Sequence, residues 1–158
     1  MPIQVGDHLP QATFAVLHDG VQHLTTGDVF AHKKVVLFAV PGAFTPTCSE
    51  RHLPGYVALY GDFKKRGVDV ACMAVNDAFV MQAWAEHRHV PDGMLMLADG
   101  NGDFAKALGL ESDSSNYGMG MRSKRFALYA DDGVVKELHV EAPGEFRVSS
   151  AEAMLAAI

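Results

Sequence analysis

The sequence predicts an α/β fold, a mixed central β-sheet with helices on both faces. Three observations carry this. Residues 35–40 (VVLFAV) and 68–75 (VDVACMAV) are continuous apolar runs, the pattern of strands covered on both sides. A segment with helical period lies between them, and another follows the second run. The chain then closes on a hairpin and a helix, so strands and helices alternate along much of its length.

In order, residues 12–26 (ATFAVLHDGVQHLTT) read as two short strands around the Asp19-Gly20 turn pair. Residues 27–34 supply one helical turn leading into the strand at 35–40. After the loop at 40–47 comes a helix running to about Arg66, where Gly67 stops it. Leu53, Tyr56, Val57, Tyr60 and Phe63 form its buried stripe, and Pro54 should kink it. The strand at 68–75 is followed by a helix capped by Asp77 and ending before Pro91. Residues 94–99 are a third strand, and 103–110 a short helix closed by Gly109. Residues 112–124 (SDSSNYGMGMRSK) read as a loop, and 125–141 as a hairpin around Asp132-Gly133. Ser149 and Glu152 form a capping-box pattern for a last helix.

A chain of 158 residues can bury about 70% of its unfolded surface in one core. Thirteen basic residues against nineteen acidic ones give a net charge of −6, which argues against nucleic acid or an anionic membrane as the main partner. No apolar run approaches the ~18 residues of a membrane span. Residues 1–10 show neither a basic region nor an apolar core for export, so the cytoplasm is the expected compartment. Thiols there stay reduced unless they are catalytic or redox-sensing.

Of the two cysteines, Cys48 follows a buried strand and a loop bracketed by Pro41 and Pro46. Thr45 as cap would put Pro46 at the first helical position, and Thr47 as cap would pair with Glu50 in a capping box. Either places Cys48 in the first turn, where spare amides and the helix dipole stabilise a thiolate. A thiol of ordinary pKa near 8.5 is about 3% ionised at pH 7, so full ionisation adds only ~30-fold, about 2 kcal/mol. Enzymic accelerations start near ~10⁶, about 8 kcal/mol. The rest must come from donors aimed at charge developing in the transition state. The Thr45 hydroxyl is one candidate. A cation is the other, and Arg122, Lys124 and Arg125 lie at the start of the second hairpin; alternation along a strand would set Arg125 opposite the other two.

These residues carry a resemblance. The segment VLFAVPGAFTPTCSERHLPGY resembles the active-site segment of the peroxiredoxins, with its Pro, three residues, Thr, two residues, Cys signature. It is most similar to the type II, peroxiredoxin-5-like group of plants, bacteria and mitochondria. ACMAVNDAFVMQAW, LMLADGNGDFAKALGL, MRSKRFALYADDG and GEFRVSSAE match that group in the same order, from about Ile3 to the C terminus. The resemblance implies one thioredoxin-like domain over residues 1–158 with an N-terminal β-hairpin. It implies a thiol peroxidase acting on hydrogen peroxide and small alkyl hydroperoxides, with no metal or organic cofactor and a homodimeric assembly. Cys48 would be the peroxidatic nucleophile, oxidised to a sulfenic acid. Thr45 would donate to the peroxide, Pro41 would shield the sulfur, and Arg125 would stabilise the thiolate and polarise the O–O bond. Cys72 matches a second cysteine of some members. Either it resolves the sulfenic acid as a disulfide, or glutaredoxin, glutathione or thioredoxin attacks Cys48 directly. A peroxide sensor relaying oxidation to a partner would use the same Cys48.

Other motifs are weaker. His52, four residues after Cys48, could give two metal ligands on one face, but two do not make a site. As a general base it would have to reach back from the outer face of the helix. His87 and His89 read as a solvated helix end, and Met94, Met96, Met119 and Met121 as core, loop packing or an apolar rim of the site.

Overall fold

A computed structural model describes residues 2–158 of the chain; Met1, where the stretch read for an export signal begins, lies outside the described residues. The strands are β1 (Thr13–Leu17), β2 (Val21–Thr25), β3 (Lys34–Val40), β4 (Val68–Ala74), β5 (Leu95–Ala98), β6 (Glu111–Asp113), β7 (Met121–Ser123), β8 (Phe126–Asp131) and β9 (Val134–Val140). The α-helices are α1 (Thr26–Phe30), α2 (Leu53–Lys65), α3 (Ala78–His87), α4 (Asp103–Leu108) and α5 (Ala151–Ala157). Seven strands form one sheet in the order β2-β1-β5-β4-β3-β8-β9, with β3, β4 and β5 parallel and β1 and β8 antiparallel to their neighbours. The expected mixed sheet and the hairpin β1–β2 are both present.

Period-two alternation divides the core. Val36, Phe38, Val40, Val70, Cys72 and Ala74 face one side, where they meet residues of α2, α3 and α5. Val35, Leu37, Ala39, Ala71 and Met73 face the other, against residues of α1 and α4. Strands buried on both faces have no polar side to show, which is why they read as unbroken apolar runs.

The departures from expectation are local. Residues 112–124 are not a plain loop, because β6 and β7 pair there as a small separate sheet. The pairing is short and its residues are mostly polar, so it leaves no hydrophobic alternation to read. Helix α5 is capped by Ser150, whose side chain accepts from Ala153 N–H, rather than by Ser149. Ser149 is fully buried and is taken up by Glu141. Before α2, residues Cys48–His52 form a π-helical turn in which Leu53 N–H donates to Cys48 C=O, five residues back. Pro54 follows that turn directly: helical backbone runs from Pro46 to Lys65 with the π-turn inside it, so the N–H that Pro54 lacks and the irregular bonding fall in the same stretch.

Candidate active site

The loop after β3 fixes how the site begins. Ser49 N–H donates to Thr45 C=O at 2.9 Å, so Thr45 precedes the first helical turn and Pro46 opens it. Thr47 has helical backbone angles and makes no side-chain cap, which removes the alternative start. Of the two starts the sequence leaves open, the Thr45 one is found. The Thr45 hydroxyl donates to Gly42 C=O at 2.8 Å and so closes the loop on itself. A Cβ on Gly42 would lie 3.2 Å from Thr45 Cγ2 and 3.3 Å from Met119 Cε, so any larger residue would press on both side chains. Asn76, just after β4, accepts from Ala43 N–H at 2.9 Å. Phe44 takes a left-handed φ of 65° and is 49% exposed.

Cys48 thus lies in the first turn, at the end of a parallel strand where α/β folds place their sites. Its sulfur faces the sheet. Cys48 is 0% exposed. Arg125 reaches it from the segment before β8, with Nη2 donating to Cys48 Sγ at 3.1 Å. The half-buried guanidinium bridges between the sulfur and the surface. Pro41 and Thr45, both partly exposed, flank the same loop.

The three basic residues have separate tasks. Strand β7 ends at Ser123 and β8 begins at Phe126, so no single strand alternates through 122–125. Arg122 donates to Met119 C=O at 2.8 Å and to Val75 C=O at 3.0 Å, tying the β6–β7 hairpin to the end of β4. Arg125 alone touches the sulfur. Lys124 is exposed.

His52 is the residue that sequence reasoning missed. It lies on no outer face: it is 0% exposed and packed at a tilt among Phe38, Tyr56 and Phe146 at ring separations of 5.0–5.6 Å. A signal existed, because His52 continues the spacing of Tyr56, Tyr60 and Phe63 one turn earlier, so a polar residue stood in a buried stripe. Arg125 Nη1 donates to His52 Nδ1 at 2.8 Å, and His52 Nε2 lies 3.0 Å from Ser149 C=O. Burial and the adjacent guanidinium lower its pKa to about 3, so it is neutral at any working pH. Among the described residues, no cluster of three or more His, Cys, Asp or Glu side chains could hold a metal ion.

Cys72 sits mid-strand in β4, opposite Phe38 of β3, with no exposed surface. Burial pushes its thiol pKa well up, and the neighbouring Cys48 adds to this, so it is a protonated, poorly nucleophilic thiol. Both cysteines are free. Met94 and Met96 are core, Met119 lies against Gly42, and Met121 is 44% exposed.

Beneath the site the segment 141–149 folds around one carboxylate. Glu141, 6% exposed, accepts from the N–H groups of Arg147, Val148 and Ser149 at 2.8–2.9 Å and from the Ser149 hydroxyl at 2.6 Å. Burial would raise its pKa, but those donors outweigh burial and hold it below the ordinary value. A depressed carboxyl stabilises the fold above its unfolded pKa and loses that contribution as pH falls through the folded one. Glu141→Gln should lower stability at pH 7 by about 1–3 kcal/mol. The gap from wild type should close as pH drops below about 4 in circular-dichroism melts; a gap constant with pH would refute the role of the charge.

Comparison with known proteins places the chain in a family. Residues 4–155 match the Redoxin family model. The chain is 49% identical to peroxiredoxin-2E, chloroplastic, of Arabidopsis thaliana, over 99% of this chain and 69% of that protein. It is 46% identical to peroxiredoxin-2B of the same plant over 99% of both chains. Reduced Prx3 from Vibrio vulnificus, solved in complex with hydrogen peroxide, superimposes with a TM-score of 0.94 at 54% identity over 98% of each chain. A family model that matches residues 4–155 and relatives 46–54% identical over almost the whole chain carry the conclusion: the chain is a peroxiredoxin of the type II group.

Proposed function

We propose that this peroxiredoxin is a single-domain peroxidase that reduces hydrogen peroxide and small alkyl hydroperoxides through Cys48, in antioxidant defence and redox homeostasis. The observation that carries the reading is the 3.1 Å contact between Arg125 and the Cys48 sulfur. The thiolate attacks the terminal peroxide oxygen; an S–O bond forms, the O–O bond breaks, and the alkoxide or hydroxide leaves and takes a proton. Sulfur becomes a sulfenic acid and the peroxide becomes alcohol or water. Arg125 stabilises the sulfur anion and the charge growing on the leaving oxygen. The Thr45 hydroxyl, turned from Gly42 to the peroxide, orients it, and Pro41 keeps bulk water from the sulfur.

Recycling uses an external thiol from glutaredoxin, glutathione or thioredoxin. That thiol displaces water from the sulfenic acid as a mixed disulfide, and a second thiol releases Cys48. The buried, raised-pKa Cys72 supports this route over an internal disulfide. Exposed Phe44 and Phe79, 49% and 62%, support a homodimer formed beside the active-site loop. Two free thiols suit a reducing compartment such as the cytoplasm.

Steady peroxide consumption with a glutaredoxin or thioredoxin couple tests the reading. Stoichiometric oxidation without turnover would instead fit a peroxide sensor. Mass spectrometry after one equivalent of peroxide should find sulfenic acid at Cys48. Cys72→Ser should stay within about twofold of wild type with an external thiol, ~0.4 kcal/mol on the barrier. A 48–72 bridge, or a dead Cys72→Ser protein that still folds, would establish the internal route.

A further inference from the structure

We propose that His52 is a positioning residue for Arg125, a neutral acceptor that aims the guanidinium at Cys48 without cancelling its charge. The inference rests on the peroxidase reading and deepens it.

The fork of Arg125 is divided between two partners. Nη2 points at sulfur and Nη1 at His52 Nδ1. An arginine cannot accept, so Nδ1 must carry the lone pair. The proton is then on Nε2, which donates it to Ser149 C=O. Tyr56 donates to the same carbonyl at 2.8 Å. Ser149 is held in turn by Glu141, whose own N–H donates to Arg125 C=O at 3.0 Å. The tautomer and the ring plane are thereby fixed from the end of β9, and Phe146 lies beside both the imidazole and the guanidinium. The titratable or charged groups facing His52 are Arg125, Glu141, Tyr56 and Cys48, with Arg51 on the ring of Phe146.

Arginines in buried sites are commonly held by carboxylates. Among the described residues, no carboxylate lies within ion-pair distance of Arg125; Glu141 is nearby but is occupied by Ser149 and its neighbours. A carboxylate at position 52 would orient the fork equally well and neutralise it. The thiolate would then face a net-neutral pair, and the transition state would lose the charge it draws on. A neutral imidazole separates orientation from compensation.

The test compares near-isosteric replacements. In His52→Asn the amide oxygen can occupy the place of Nδ1 uncharged, and His52→Asp differs from that variant only in charge. The pH midpoint of Cys48 alkylation by iodoacetamide reads ionisation without needing peroxide, so it judges this proposal even should peroxide turnover fail. His52→Leu should raise that midpoint and slow peroxide-driven oxidation ~10- to 100-fold. His52→Asn should recover most of both losses. His52→Asp should restore the melting temperature but leave the midpoint high. Equal midpoints for the Asn and Asp variants, or a wild-type midpoint for Leu, would overturn the assignment. Nitrogen-15 histidine spectra of the wild-type protein supply a check free of folding effects. They should show an unprotonated Nδ1 at one ring that does not titrate between pH 5 and 8; a ring set that all titrates near 6.5 would overturn the proposal as well.

Discussion

Cys48→Ser should consume peroxide no faster than buffer does, a loss of at least ~10⁶-fold. The substitution changes one atom. Arg125 Nη2 can donate to a serine oxygen as it does to sulfur, so the fold and the guanidinium should stay in place. What disappears is the nucleophile, because an alcohol is not ionised by one cation at neutral pH and attacks O–O bonds poorly. Peroxide consumption coupled to a thiol reductant, followed with melting temperature, measures this directly. Turnover surviving in a folded Cys48→Ser protein would shift the chemistry to Cys72, whose burial argues against it.

Arg125→Ala should cost about 10³-fold or more, because two losses multiply. Thiolate fraction can account for ~30-fold at pH 7. Removing one donor aimed at a developing charge costs a further ~10²–10³. Raising the pH separates the two, since it restores ionisation and cannot restore the donor. The variant should therefore gain rate as pH rises and level off well below wild type. Full recovery at high pH would show that Arg125 only tunes ionisation. The variant also releases His52 Nδ1 and exposes Phe146, so its melting temperature should be recorded beside the rate.

The architecture was legible where burial is one-sided or complete. Val35 to Val40 reads as a strand because both faces are covered, and Gly67 and Gly109 end helices in left-handed conformations that other residues avoid. Cys48 was legible because a cysteine, a proline and a cap coincide at one turn. The rest depended on contacts distant in sequence. Arg125 lies 77 residues from Cys48, and only the pairing of β8 against β3 brings them together. Ser149 looked like a cap because capping boxes are local patterns, while its actual partner, Glu141, is eight residues back, just past the end of β9. His52 stands one turn before Tyr56 on the buried stripe, but its partner Arg125 lies 73 residues away in sequence. Position in the chain marked the nucleophile; three-dimensional closure supplied its surroundings.

A sulfur with no surface has a consequence for turnover. On the proposed recycling route, a protein thiol cannot form a mixed disulfide with an atom it cannot touch. On that route the reductive half of the cycle would wait for the turn at Cys48–His52 to open, the stretch where helical bonding is already irregular. Catalysis would then run on two clocks, a fast one set by peroxide arrival and a slow one set by local unwinding. The slow clock should quicken steeply with temperature and cease to respond once reductant is saturating.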